Sequence, residues 1–193
     1  VTWDGLTPPY STIVADPPWE YENANKAGSA FMKDRGWRSV QQLGYSPMSL
    51  DAITALSVAD LAADDAHLYL WTTNTFLYAA HDIARAWGFK PKTVLTWTKT
   101  HQDDPTRVSM KTGYYFRGAT EHVVFAVRGS LRLQTRDGLP TGYLWPRIGK
   151  HSRKPAAFYD LVEKASPGPR VELFSRAPAL GWDSWGLGYE GAA

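Results

Sequence analysis

Short apolar runs rich in β-branched and aromatic side chains recur along the chain at residues 12–15, 67–72, 93–97, 122–127 and 171–174. Each run is short and bounded by polar or turn residues, which predicts strands. Between them the apolar positions fall at helical spacing: residues 50–59 behind the cap-like Ser49, 75–87 ending at Gly88, and 155–164 ahead of Ser166-Pro167-Gly168. Strands that alternate with helices need crossover connections, so the pattern predicts a mostly parallel sheet with helices on both faces. The expected fold class is α/β, one domain over residues 1–193.

Three stretches fit neither period: residues 20–45, 100–113 and 180 to the end, all rich in Gly, Pro, Asn, Asp or charge. Loops of that length in a small domain are functional or disordered. There is no internal repeat. No apolar segment approaches a membrane span and no signal pattern opens the chain, so the expectation is a cytoplasmic protein without a membrane partner. A first residue other than Met suggests a trimmed or processed chain.

Composition narrows the chemistry. Nine Trp and ten Tyr bring the aromatic share to 13%, which suits either a Trp-rich core or a stacking surface for flat ligands. The absence of Cys excludes a disulfide scaffold and a thiolate zinc site, and with it a zinc deaminase. His122 and His151 lack zinc-site spacing, so no metal is expected. The formal net charge of +2 is small. Basic residues nevertheless cluster at Lys26, Lys33, Arg35 and Arg38, and again at Arg147, Lys150, Arg153 and Lys154. A solvated face is the ordinary reading of such runs, and salt-sensitive contact with nucleic acid the alternative.

The stretch Ser11-Thr-Ile-Val-Ala-Asp16-Pro17-Pro18-Trp19 ends a strand on an acid and two prolines. Proline cannot donate to a ladder and holds the preceding residue extended, which fixes Asp16 at the sheet edge. The turn is expected to keep its carbonyls unclaimed, and Trp19 and Tyr21 to bring π-faces close. In parallel sheets, ligands sit beyond the carboxyl ends of strands. A carboxylate, a Pro17 carbonyl and an aromatic platform suit a planar ligand with an exocyclic amine. Accepting its hydrogens moves the nitrogen toward tetrahedral geometry, and the carboxylate stabilises the positive charge that grows as it attacks an electrophilic methyl. The simpler reading is an Asp that caps a turn.

Asp16-Pro17-Pro18-Trp19 after a strand resembles the motif of the DPPW-type adenine-N6 methyltransferase family, which includes the catalytic subunit of the eukaryotic mRNA adenosine methyltransferase and bacterial and phage members. Further segments are similar in the same order: residues 45–53, 67–74, 87–99, 113–129 and 151–176. The resemblance implies a Rossmann-like S-adenosylmethionine-dependent fold with permuted (β-class) motif order, the catalytic strand first and the cofactor strand last. It gives Asp16, Pro17, Pro18 and Trp19 the catalytic positions. Tyr21, Tyr45 and Glu121 fall at the substrate, although Glu121 would equally suit a pair with Arg117 or Arg128. Lys154, Glu172, Leu173, Phe174, Ser175 and Arg176 fall around the cofactor, with Lys154 placed to pair its carboxylate. The chain departs from bacterial relatives where they read Trp-Gly-Asn-Glu and it reads Trp185-Gly186-Leu187-Gly188. Tyr189 or Glu190 is the candidate replacement for the missing asparagine.

The implied activity is methyl transfer to the N6 amine of an extruded adenine stacked on Trp19 or Tyr21. DNA is favoured over RNA by analogy, and specificity is assigned to the long loops, a homodimer or a partner subunit. Cytosine-N4 methylation and a non-catalytic nucleic-acid-binding or scaffold subunit are the alternatives.

Overall fold

Strand β1, Tyr10–Ala15, carries Ile13 and Ala15 into one apolar cluster and Val14 into another. Its side chains alternate between two buried faces, as a central strand requires. The computed structural model describes residues 2–21, 47–110, 115–146, 154–175 and 179–186. Among these, seven strands form one sheet in the order β5-β3-β4-β2-β1-β6-β7. Strands β2 (Ala62–Thr72), β3 (Lys90–Thr100), β4 (Thr120–Arg128), β5 (Gly142–Pro146), β6 (Arg170–Leu173) and β7 (Asp183–Trp185) complete it. β4 runs antiparallel to β2 and β3, and every other pairing is parallel.

Helices α1 (Leu50–Thr54) and α2 (Leu77–Ala86) bury Ile53, Ala80, Ile83 and Ala84 with Leu68, Leu70, Val124 and Val171 on one face. Helix α3 (Ala156–Ala165) covers the other, setting Phe158 and Val162 against Tyr69, Trp71, Val123 and Phe125. The layered α/β architecture expected from the alternation is therefore present. Among the described residues no helix is long and apolar enough to cross a membrane.

The local chemistry explains the helix ends. Ser49 caps α1 by accepting the Ala52 N–H at 3.2 Å. At Gly88, φ is +84° and the Phe89 N–H reaches back to the Ala84 carbonyl at 2.9 Å, closing α2 with a glycine in the left-handed region.

The expected helix over 50–59 is shorter. It stops at Thr54, whose hydroxyl bonds the Leu50 carbonyl at 2.7 Å, and a separate single turn follows at Val58–Asp60. β5 and β7 escaped the sequence reading. β5 is an edge strand with no buried residue, and β7 has three residues, so neither shows the apolar alternation that marks a covered strand.

Leu68 sits at 0% exposure in the middle of β2. Leu68→Ala is expected to lower unfolding stability by about 2–5 kcal/mol, read as a shift in the urea midpoint.

Candidate active site

β1 gives its last ladder bond from the Asp16 N–H to the Leu173 carbonyl of β6, at 3.4 Å. The prolines then end the strand and leave the Asp16 carboxylate, 24% exposed, at its carboxyl end. The turn is stapled. The Pro17 carbonyl accepts the Trp19 N–H at 2.9 Å, the Pro18 carbonyl accepts the Met48 N–H at 2.8 Å, and the Glu20 N–H reaches the Met48 carbonyl at 3.2 Å. Neither proline carbonyl is unclaimed, contrary to the expectation. Each keeps its second lone pair.

Trp19 also differs from the sequence reading. At 8% exposure it belongs to the core, with its ring stacked on Phe76 (centroids 5.2 Å apart) and its indole N–H donated to the Trp71 carbonyl at 3.2 Å. A ring so enclosed cannot be an open platform. Tyr21 is the exposed aromatic, edge-on to Phe76 with its hydroxyl 2.9 Å from Thr73 Oγ1.

Around Asp16 the structure assembles an alternating array of charges. Lys154 Nζ lies 2.9 Å from Asp16 Oδ2 and 3.3 Å from Glu121 Oε2, over the Trp71 ring at 4.2 Å. Glu121 Oε1 is bonded in turn by Lys99. The expected arginine partners of Glu121 are replaced by these lysines; Arg128 instead donates to the Ala59 carbonyl. Lys154 and Lys99 are 8% and 7% exposed. Burying a lone ammonium costs several kcal/mol, which paired carboxylates and an indole face offset. Burial would raise the Glu121 carboxyl, but the Lys154 and Lys99 charges outweigh it and hold the pKa at about 2. Burial would lower Lys154, and the Asp16 and Glu121 carboxylates more than reverse this. Among the described residues no hydrogen bond or ion pair is made to Asp16 Oδ1.

The carboxyl end of β6 lies beside β1. Leu173 is fully buried, so its side chain is a core group rather than a cofactor contact. Phe174 turns the chain at φ +64°. Glu172 accepts the Tyr159 hydroxyl at 2.8 Å and the Ser175 hydroxyl at 3.1 Å, and burial raises its pKa against those bonds. Across the ladder from Glu172 stands Ser184, whose hydroxyl is buried with no hydrogen-bond partner among the described residues. Gly186 admits no side chain, because a Cβ there would meet the Ser175 backbone.

His122 is held by Asn74 Oδ1 at 2.6 Å and Thr96 Oγ1 at 3.1 Å, and burial lowers its pKa, a structural setting. Among the described residues no cluster of three or more His, Asp or Glu is placed to hold a metal. Tyr45, Arg176, His151, Tyr189, Glu190 and most of the two basic stretches lie outside the described residues. An apolar cleft of about 150 Å³ between Leu161 of α3 and Thr93, Phe125 and Tyr143 of the sheet contains none of the expected site residues.

Lys99 is the site residue the sequence reading missed. The available signal was a lysine at the carboxyl end of the strand, two positions beyond Trp97.

The MT-A70 family profile matches residues 10–188. The chain belongs to the MT-A70 family. Type II methyltransferase M.MunI of Mycoplasma sp. is 30% identical, covering 92% of this chain and 77% of the relative. An MT-A70-like N(6)-adenosine-methyltransferase of Drosophila melanogaster is 29% identical over 86% of this chain, and the human N(6)-adenosine-methyltransferase catalytic subunit METTL3 is 26% identical over 86%. The chain spans 24% and 26% of the lengths of those two proteins.

In this MT-A70 protein the depressed Glu121 pKa ties stability to acid. The pairing is fully present above the ordinary value of 4.5 and is lost as pH falls toward about 2. Unfolding free energy measured across that window should fall more steeply in the native protein than in Glu121→Gln.

Proposed function

We propose that the protein transfers a methyl group from S-adenosylmethionine to the exocyclic N6 amine of adenine in DNA. The observation that carries this reading is the Asp16 carboxylate, fastened through Oδ2 by Lys154 beside the proline turn, with Oδ1 unbonded among the described residues. An aryl amine is a weak nucleophile, because its lone pair is delocalised into the ring. Asp16 Oδ1 accepts one N–H and the second lone pair of the Pro17 carbonyl the other, which draws the nitrogen toward tetrahedral geometry. Asp16 then stabilises the positive charge that grows on nitrogen until the methylated amine releases one proton to solvent, while Tyr21 offers the stacking face. Lys154 keeps Asp16 aligned throughout, so little rearrangement accompanies the transfer.

The residues fit the cofactor. Bound, it supplies a methyl activated on a sulfonium. Asp16, Glu121 and Glu172 set three carboxylates against the Lys99 and Lys154 ammonium groups, a balance that favours a cation. The unpartnered Ser184 hydroxyl beside Glu172 is ready for a polar ligand atom. Glu172, Phe174 and Ser175 would hold the cofactor from the β6 edge. Lys154 is shared by two carboxylates, which makes it a poor partner for a third. Its role is assigned to Asp16 rather than to the cofactor carboxylate. Asp16 on the first strand and Glu172 on the sixth, adjacent in the sheet, support the Rossmann-like fold with permuted motif order. The long mutual coverage with a Type II methyltransferase favours DNA as the polymer.

Labelled methyl transfer to matched DNA and RNA, followed by nucleoside analysis, tests the reading. N6-methyladenine is expected in DNA, and Asp16→Ala should reduce the rate roughly 10²-fold or more with cofactor binding intact. Product in RNA alone would change the polymer, and no transfer together with no cofactor binding would favour a scaffold. Glu172, raised by burial, is ionised only above its elevated pKa. Calorimetric affinity for S-adenosylmethionine should therefore rise with pH across that pKa, affinity for the uncharged thioether product should stay flatter, and Glu172→Gln should remove the difference.

A further inference from the structure

Lys99 stands at the outer end of the charge array, separated from Asp16 by Glu121 and Lys154. Its ammonium is 7% exposed, bonds Glu121 and lies 5.0 Å from the Trp97 ring centroid. Its backbone is fixed from both sides: the N–H donates to the Ala119 carbonyl at 2.8 Å and the carbonyl accepts the Ser109 N–H at 2.7 Å. Lys154 is divided between Asp16 and Glu121, and Lys99 supplies the second cation that the two carboxylates need. Buried ion pairs also bring little net stability over apolar groups of the same shape.

The two lysines reach opposite oxygens of Glu121: Lys99 bonds Oε1, and Lys154 lies 3.3 Å from Oε2 while also reaching Asp16 Oδ2 at 2.9 Å. With Lys99 neutralising Glu121, the Lys154 ammonium leans on Asp16. Without Lys99 the undivided charge of Glu121 would compete for Lys154 and draw it away from Asp16. Among the described residues the other titratable groups that sense the array are Glu172 of β6, which senses Asp16 and Lys154, and His122 of β4, which senses Glu121.

We propose that Lys99 is a positioning residue for methyl transfer: through Glu121 it sets where Lys154 sits, and so how Asp16 presents its open oxygen to the amine. The proposal rests on the role given to Asp16 above.

Lys99→Met, Lys99→Arg, Glu121→Gln and the Lys99→Met/Glu121→Gln double variant are compared by single-turnover methyl transfer across pH, with cofactor binding measured by calorimetry. Lys99→Met should lower the rate about 10-fold and move its acid limb up by about one pH unit, with cofactor affinity unchanged. Lys99→Arg should restore both. The double variant should be no slower than Glu121→Gln alone, because the coupling passes through Glu121. A native acid limb in Lys99→Met, or additive losses in the double variant, would overturn the proposal. Where Lys99→Met lowers the yield of folded protein, Lys99→Gln keeps a hydrogen bond without the charge and carries the same expectation. The Asp16 carboxyl carbon shift, read by NMR at one fixed neutral pH, reports the array without turnover. It should move in Lys99→Met and return toward the native position in Lys99→Arg, and an unmoved shift in Lys99→Met would refute the role of Lys99. Absence of transfer by the native protein would instead refute the functional reading and leave this NMR comparison valid.

Discussion

The Lys154 ammonium spans a gap in the sheet. Its two carboxylate partners leave on β1 and β4, which are separated by β2, and the ring it lies over, Trp71, belongs to that intervening strand. One cation with an acid on either side and an indole beneath thus ties together three neighbouring strand ends. The ladder bond to Leu173 and the prolines set the Asp16 backbone, and among the described residues Lys154 is the ion-pair partner that orients its carboxylate. Desolvation makes this arrangement demanding. Each buried charge is tolerable only while its neighbours of opposite sign remain in register.

That register is supplied by the apolar body of the sheet. Strands β1, β2 and β4 send successive side chains into two clusters, one under α1 and α2 and the other under α3, so a one-residue slip would turn an entire core face outward. Trp71 joins the two levels of organisation. Its carbonyl receives the Trp19 indole, which secures the proline turn, while its ring faces the Lys154 ammonium. Packing and electrostatics are therefore set by the same few strand positions.

Features that depend on neighbouring residues were legible in the sequence, and features that depend on pairing across the sheet were not. The end of β1 at Asp16 follows from two prolines and needs no tertiary information. Ser49 and Gly88 mark helix ends for equally local reasons. The partners of Glu121 are different. Arg117 and Arg128 are near it in sequence, yet the lysines that reach it come from the facing strand and from the segment before α3, through the β3–β4 register. Trp19 was misread because an aromatic beside an acid looks the same in sequence whether its ring is open or stacked on Phe76. β5 carries too little burial to imprint a period, and β7 is too short to show one.

The alternation of sign along Lys99, Glu121, Lys154 and Asp16 also restricts how such a chain can diverge. A neutral or reversed replacement at one position strands a buried charge at the next, so the four are heritable as a set more readily than one at a time. Surface strands such as β5 carry no such debt and are open to drift. A protein sharing 30% of its residues with M.MunI has changed most of what it is made of. An interlocked quartet of charges is the kind of feature that such drift must pass through together or leave alone.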